Sequence, residues 1–516
     1  MENHLNVFQG RESSIRTTDS RGILVLVIVL LGMSLAGRVV FLSQSVNSDT
    51  AMFVYMGKLV SEGGRIGVDL IDNKLPSVGL LMSVPYRLIG ERWWGYTLLG
   101  IVLMTLAPLF LARTTGRVMG LETFIPVWLA GTLWMNFPPM VHGLFQLETV
   151  QTFFVVLGVC FGLNLLQEVD WRDALGCGLC IGMGMWAKPT AAAVLPVIGI
   201  TIWFATGWPI RRKLVATFWG ILGVLTPVVT GVWLMMITGM LESFPDTIRQ
   251  LREYASNSTA DWVDVVKPLF VISVILFPVV VWGFVFRRDR LTTDVPVHCY
   301  KAVTWLAVGW FIMEMVGIVL QRRMYAYHFL PMAGPASLLM GLFARRFNVM
   351  SLGFSFGPLV LLSGIFVFQM LHCPDQQSRM SQVITYLKEN ASPCDRVWVD
   401  DYPRLMVETD LRPGARVPLV FLFGNSDSAP IRFSQMILRD FRDHPPDWVV
   451  LYEDPKKFID FYSTGMAEMS ASPARRDNFA RAWMSIDEYV RKRYLKVTTI
   501  AGMDMYRKSE SFVRIE

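Results

Sequence analysis

The residue with the clearest chemical potential is Asp49, which follows the first long apolar run at the start of a helical pattern. A carboxylate at this point lies at the boundary between membrane and water, and the helix N-terminus favours its negative charge. A carboxylate within hydrogen-bond reach of an attacking hydroxyl can take its proton. A plain N-cap is the structural alternative for the same residue, and the residues alone leave both interpretations open.

Further charged side chains interrupt the apolar sequence at five positions: Glu148, Lys188, Arg322, Arg323 and His328. Each has a functional and a structural interpretation. The acid can cap a helix, and the lysine can extend its ammonium group to the membrane surface. The arginine pair can bind lipid headgroups, and the histidine can be a metal ligand or a hydrogen-bonded interfacial residue.

The elements that must position these residues are membrane helices. The chain has 516 residues, of which 53% are hydrophobic and only 17% charged, whereas soluble domains carry about a quarter charged residues. Because about 20 apolar residues cross a bilayer, the sequence predicts a polytopic α-helical membrane protein. The predicted spans number eleven: 22–42, 93–112, 122–141, 148–167, 172–188, 190–207, 214–237, 266–286, 300–320, 327–344 and 349–371.

Charge distribution supports this count. The stretch 174–205 is too long for one ordinary span and is interrupted at Lys188-Pro189, which predicts two helices joined by a very short turn. With eleven spans and the N-terminus inside, short basic loops recur on the inner side, as the positive-inside rule requires. The first loop, 43–92, and the tail then lie outside. The Lys and Arg residues behind the net charge of +6 cluster at helix ends and orient the protein, and the sequence indicates no nucleic-acid partner.

The tail changes character and predicts an extracytoplasmic α/β domain over 372–516, after a transmembrane domain over 1–371. Short apolar runs predict strands at 396–399, 417–423, 448–452 and 497–501, separated by helical patterns at 378–390, 433–442 and 486–494. A disulfide between Cys373 and Cys394 is one of two open alternatives, because both cysteines lie outside. Cys177 and Cys180 favour packing over metal or redox chemistry.

In the first loop, the side chains of Met52, Tyr55, Met56, Leu59 and Val60 fall on one face of a helix. This pattern predicts a helix lying in the plane of the membrane interface.

Several short motifs, taken in order, resemble the C-type glycosyltransferases, which include the protein O-mannosyltransferases and the lipid A aminoarabinose transferases. Each motif is short, and the resemblance depends on their order and shared sidedness over most of the chain. The motifs are Asp49 after the first span, Lys74-Leu75-Pro76, Gln146-Leu147-Glu148, the turn 186–190 and the segment 322–331.

The resemblance implies an inverting glycosyltransferase that takes a sugar from a polyprenyl-phosphate carrier. It implies catalytic roles for Asp49 and Glu148 and a divalent metal ion as a possible cofactor. The residues implied in binding the donor phosphate are Lys74, Lys188, Arg322, Arg323 and Tyr325, and those implied in binding a metal are Asp72 and His328.

Two departures weaken the implied metal site. Thr50 stands where the family has the second acid of an Asp-Glu pair, and Asn73 stands where a histidine often precedes the lysine. The implied acceptor is a lipid, glycan or protein, and the implied location is a bacterial inner or plasma membrane. A polytopic transporter or lipid flippase and a catalytically silent glycan-assembly subunit are the alternatives.

Overall fold

The computed structural model describes scattered residues between 25 and 42 and then most of the chain from 48 onward. The continuous described ranges are 48–141, 145–205, 207–256, 297–321, 325–343, 360–368, 377–399, 402–418, 420–465 and 472–509. The predicted span 266–286, the arginines Arg322 and Arg323, and Cys373 lie outside the described residues.

The first part of the chain is helical. Its α-helices are α1 Ser48–Ser61, α2 Pro76–Ile89, α3 Trp93–Met119, α4 Phe124–Met135, α5 Pro138–Val141, α6 Leu147–Leu165, α7 Trp171–Ala187, α8 Val194–Ile200, α9 Ile210–Ile237, α10 Phe244–Ser256, α11 Val297–Gln321 and α12 Ala333–Phe343. Within the described residues, α3, α6, α9 and the stretch Cys299–Leu320 of α11 are long and apolar enough to cross a membrane. The total of eleven spans stays a prediction.

The chain breaks at Lys188-Pro189, as the sequence predicts. Helix α7 ends at Ala187, and Lys188 is extended, with φ −155° and ψ 122°. The ring of a following proline disfavours helical backbone at the preceding residue. A 3₁₀ turn at Pro189–Ala193 then leads into α8. The break places the lysine backbone at a helix end, where its side chain can leave the apolar layer.

The prediction of one helix over 122–141 is wrong. Helix α4 stops at Met135, and the Asn136 amide donates hydrogen bonds to the carbonyl oxygens of Met104 (3.1 Å) and Thr132 (3.0 Å). Pro138 follows two residues later and starts the separate short helix α5. A side-chain amide that bonds backbone carbonyls offers the chain an alternative to further helix.

Helix α1 is covered by protein, and its placement in the plane of the membrane interface stays a prediction. The side chains from Ala51 to Met56 are all at most 4% exposed. A helix that is apolar on every side is buried within a protein. It packs against α2 and against the tail helix Tyr402–Glu408, and the ammonium group of Lys58 donates to the carbonyl oxygen of Met406 at 3.2 Å.

Helices α7 and α9 approach each other closely through glycines. A methyl group added at Gly178 would lie 2.1 Å from the carbonyl oxygen of Gly220, and one added at Gly223 would lie 2.4 Å from that of Leu175. Small residues allow such close backbone approach between membrane helices.

The tail forms one five-stranded sheet with helices. Its elements are α13 Gln377–Asn390, β1 Arg396–Val399, α14 Tyr402–Glu408, β2 Arg412–Pro413, α15 Ala429–Asp443, β3 Trp448–Tyr452, α16 Pro455–Gly465, α17 Pro473–Arg493, β4 Tyr494–Ile500 and β5 Met503–Lys508. The strand order is β2-β1-β3-β5-β4. Strand β1 is parallel to β2 and β3, and β5 is antiparallel to β3 and β4.

The predicted strands at 396–399 and 448–452 are confirmed as β1 and β3, and the strand predicted at 497–501 begins earlier, as β4. The strand predicted at 417–423 is wrong, because a 3₁₀ helix occupies Val420–Asn425. Leu422 and Phe423 are fully buried there, and the Phe423 ring packs on Phe433 of α15 at 6.1 Å. An apolar run without alternation does not distinguish a strand from another buried segment.

The tail contacts the first part of the chain directly. The N–H of Ile71 donates to the carbonyl oxygen of Arg416 at 2.8 Å. Glu253 of α10 accepts two hydrogen bonds from the Arg432 guanidinium of α15, at 3.0 and 2.8 Å. These contacts attach the tail to the loop that precedes α2 and to α10.

Candidate active site

Five polar side chains from separate parts of the sequence converge above the membrane helices. Asp49 lies in the first turn of α1, Lys74 in the loop before α2, and Glu148 in the first turn of α6. Lys188 occupies the break after α7, and His328 lies in the 3₁₀ turn Ala326–Met332 before α12. All five positions are at or beside helix ends, which is where a polar side chain can leave the helix packing.

Glu148 is the centre of one half of the site. It is 4% exposed, and its Oε1 accepts from the Lys188 ammonium group at 2.6 Å. The Nε2 atom of His328 lies 3.4 Å from the same oxygen. Gln151 donates to the Thr190 hydroxyl at 3.2 Å and so ties α6 to the turn that carries Lys188. The Glu148 carboxylate is therefore already paired with the Lys188 ammonium group.

Asp72 and Lys74 form the second half. Oδ1 of Asp72 accepts from the backbone N–H of Lys74 at 2.9 Å and from its ammonium group at 3.3 Å. The ammonium group also lies 5.5 Å from the centre of the Phe53 ring. Burial lowers the pKa of Lys74, but the charges of Asp72 and Asp49 outweigh it and raise the pKa above its usual value. Lys74 therefore stays a cation.

Asp49 faces both halves. Its carboxylate is hydrogen-bonded by the Gln146 side chain and lies in the field of Lys74, Glu148 and Asp72. Burial raises the pKa of Asp49, the Lys74 charge opposes this, and the net shift is upward. Within the described part of the chain, Asp49 has no ion pair closer than 4.0 Å. It is thus the acid of the site whose charge no cation neutralises directly.

The sequence patterns missed three contributors to the site. Gln146 bonds Asp49, and Tyr254 of α10 interacts electrostatically with Lys74 and Tyr327. The Tyr327 ring lies edge-on to His328 at 4.7 Å. Gln146 and Tyr327 are within motifs quoted above and could have been found there, whereas nothing in the local sequence around Tyr254 points to the site.

The remaining predicted site residues differ in placement. Tyr325 is 40% exposed and stacks on Tyr327 at 5.4 Å, and Arg322 and Arg323 lie outside the described residues. Asp72 and His328 have different partners, and across the described ranges no group of three His, Cys, Asp or Glu side chains could hold a metal ion. Cys394 is an exposed free thiol.

Glu314 in α11 accepts from the indole N–H of Trp310 at 3.0 Å. Arg38, in the first predicted span, is fully buried, and its guanidinium has no hydrogen bond among the described residues.

The geometry combines one acidic group that can accept a proton with two cations that can meet developing negative charge. The cations are Lys74 and Lys188, and each is held by its own carboxylate. Such preorganised charge stabilises a leaving phosphate more strongly at a partly buried site than in water.

Residues 73–234 match the family model described as dolichyl-phosphate-mannose-protein mannosyltransferase. The structure of ArnT from Cupriavidus metallidurans bound to undecaprenyl phosphate is similar over 95% of this chain and 98% of that chain, with TM-score 0.55 and 11% identity. The resemblance to the C-type glycosyltransferases is confirmed.

The oligosaccharyltransferase of Archaeoglobus fulgidus is also similar in structure. The match covers 94% of this chain and 74% of that chain, with TM-score 0.48 and 12% identity. No curated protein matches the chain in sequence. The segment 73–234 that matches the mannosyltransferase family model carries Lys74, Glu148 and Lys188, whereas Asp49 and His328 lie outside it.

Proposed function

We propose that the protein is a membrane glycosyltransferase that moves a sugar from a polyprenyl-phosphate carrier to an acceptor hydroxyl. The single observation that carries the proposal is that the Asp49 carboxylate lies in the electrostatic field of Lys74, which Asp72 holds, and of Glu148, which holds Lys188. The description of the matching family model and the undecaprenyl phosphate bound to ArnT support it.

The reaction is an inverting displacement at the anomeric carbon. The acceptor oxygen forms a bond to this carbon as the bond from the carbon to the carrier phosphate breaks, on the opposite side of the sugar. Asp49 takes the hydroxyl proton, because its raised pKa makes it a stronger base than an exposed aspartate. Lys74 and Lys188 bind the departing phosphate.

Glu148 has a different role from Asp49. Its Oε1 accepts from Lys188 at 2.6 Å, and a carboxylate in a buried ion pair is a poor base while the pair is intact. We assign it to positioning Lys188, with His328 on the same oxygen. A divalent metal at Asp72 and His328 stays a prediction, and no step of this mechanism passes through a metal.

The active face is proposed to be extracytoplasmic, in the inner membrane of a bacterium, with the C-terminal α/β domain on the same side. The basic segments at 113–117, 211–213 and 287–290 support this orientation, because positively charged residues at the ends of membrane helices stay on the cytoplasmic side. The tail then contacts the donor-side loop through Ile71 and Arg416 from the same side.

Asp49→Asn tests the proposal. Loss of a general base lowers turnover by about 10²- to 10⁴-fold, while binding of polyprenyl phosphate and the unfolding temperature stay near wild type. The assay is transfer of radiolabelled sugar from extracted lipid-linked donors by the protein in nanodiscs.

Asp246→Asn is the matched control, because Asp246 is exposed and pairs only with Arg249 of its own helix among the described residues. It should leave turnover unchanged. Equal turnover of Asp49→Asn and wild type would contradict the proposal. Movement of the lipid carrier across vesicles that survives Asp49→Asn would favour a flippase instead.

A further inference from the structure

A second charged cavity lies where the tail meets the first loop. Its volume is about 600 Å³. The walls come from the starts of β1 and β2, from the last turn of α15 and from Asp69 of the first loop. None of these residues is part of the Asp49 site.

The carboxylates of this cavity are already neutralised. Asp440 accepts from the Arg416 guanidinium, with Nε at 3.1 Å and a terminal nitrogen at 2.9 Å from Oδ1. Asp443 lies 3.6 Å from the Nε atom of Arg439. Asp69 lies 3.5 Å from Nε of Arg65 and accepts from its backbone N–H.

Two arginines remain without a carboxylate partner in the described part of the chain, Arg396 and Arg412. They start the parallel strands β1 and β2 and stand directly opposite each other in the ladder. Like charges on neighbouring strands, about 4.8 Å apart, destabilise a sheet. The Nε atom of Arg396 is buried and has no hydrogen-bond partner among the described residues. An anion bound by the exposed ends of the two guanidinium groups would offset their mutual repulsion.

The cavity is close to the donor site along the chain. Asp69 in its wall is three residues from Asp72, a distance of at most about 11 Å in extended chain. The N–H of Ile71 donates to the carbonyl oxygen of Arg416, which lines the cavity. Asp72 in turn interacts electrostatically with Asp49, so an acceptor longer than this span could be held in the cavity and present a hydroxyl group to Asp49.

We propose that this cavity binds a phosphate group of the acceptor, so that the acceptor is a phosphorylated molecule. This inference rests on the proposed function and names its acceptor class. Paired guanidinium groups match the geometry of phosphate oxygens and bind them in bidentate fashion. The donor phosphate has its own cations in Lys74 and Lys188, so the arginine pair is available for a second phosphate.

The test measures thermal unfolding of the full-length protein in phosphatidylcholine nanodiscs, with inorganic phosphate as the probe. A ligand that binds the folded state raises the unfolding temperature as its concentration increases. We expect Arg396→Gln with Arg412→Gln to weaken the apparent phosphate affinity at least about tenfold. The matched control, Lys457→Gln with Arg476→Gln, removes two exposed charges of the same domain and should leave the affinity unchanged.

A second arm replaces part of the phosphatidylcholine with phosphatidic acid. If inorganic phosphate raises the unfolding temperature, the acceptor is a soluble phosphorylated molecule. If only phosphatidic acid raises it, the phosphate belongs to a lipid. Both responses must be lost in the arginine variant. Equal responses of wild type and the arginine variant, or no response in either arm, overturn the proposal. A response removed by Lys74→Gln but kept by the arginine variant also overturns it, because the phosphate then occupies the donor site.

Different measurements test the transfer reaction and the acceptor-phosphate site. Asp49→Asn should abolish transfer and keep the phosphate response. The arginine variant should raise the KM for the acceptor and leave kcat and the affinity for polyprenyl phosphate unchanged. An unchanged acceptor KM would overturn the acceptor site while leaving the transfer reaction intact.

Discussion

Removing the positive partner of Glu148 should strongly destabilise the protein. In Lys188→Met, the partners that the Glu148 carboxylate keeps among the described residues are His328, at 3.4 Å, and its own backbone N–H, and the residue stays 4% exposed. At 2.6 Å the pair attracts by about 6 kcal/mol with an effective dielectric constant near 20. Burying the two charges costs several kcal/mol each, so the intact pair contributes little net stability. Breaking it leaves a buried charge, at a cost of about 3–5 kcal/mol.

The double-mutant cycle separates these effects. Glu148→Gln alone and Lys188→Met alone should each destabilise, because each leaves one polar partner unmatched. The double variant should be destabilised by at least about 1 kcal/mol less than the sum of the two single variants, because it contains no buried unpaired charge. The free energy of unfolding is measured by titration with sodium dodecyl sulfate in mixed micelles, followed by tryptophan fluorescence.

Additive single effects, or a loss below about 1 kcal/mol for Lys188→Met, would refute this reasoning. The first outcome would mean that the two residues do not interact in the folded protein. The second would mean that water reaches the Glu148 carboxylate, as at an exposed ion pair. Lys213→Met serves as the control, because Lys213 donates only to the carbonyl oxygen of Trp203 and not to a carboxylate.

Three further predictions follow from the site and the helix packing. Because Asp49 must be deprotonated to act and burial raises its pKa, transfer should fall in acid with a midpoint above the usual aspartate value of about 4 in a pH profile of kcat. Lys74→Gln should raise this midpoint further, because the lysine charge lowers the Asp49 pKa in the wild-type protein. The same variant should bind polyprenyl phosphate more weakly in an equilibrium titration. An unchanged midpoint would contradict the assignment of Asp49 as the base. Gly178→Val should lower the unfolding temperature more than Gly199→Val, which meets no atom within 4 Å, and equal shifts would argue against the close α7–α9 approach.

Sequence reasoning located the elements whose signals are local. The Lys188-Pro189 break is readable because proline constrains the residue before it. Strands β1 and β3 are readable because short apolar runs lie between charged residues. The same reasoning did not predict the burial of α1 by protein, because an apolar pattern does not reveal whether lipid or protein covers the helix.

The candidate site was predictable only in part. The sequence draws attention to Asp49, Lys74 and Lys188 because charged side chains beside apolar runs are costly and are often functional. The sequence did not predict that Asp49 and Glu148 have different roles, because the difference depends on which of the two acids lies 2.6 Å from a lysine. Tyr254 was missed for a related reason: it reaches the site through the docking of α10 on the tail by Glu253 and Arg432.

The contacts between α1 and the tail have a consequence for biosynthesis. Lys58 and Met406 are separated by 348 residues, yet they share a hydrogen bond. Ribosomes add about 5–20 residues each second, so Met406 is synthesised tens of seconds after Lys58. Contacts between such distant residues are slow to form. The helix bearing Asp49 therefore acquires its final surroundings only after residue 406 has been synthesised, and nascent chains truncated before 406 should be inactive.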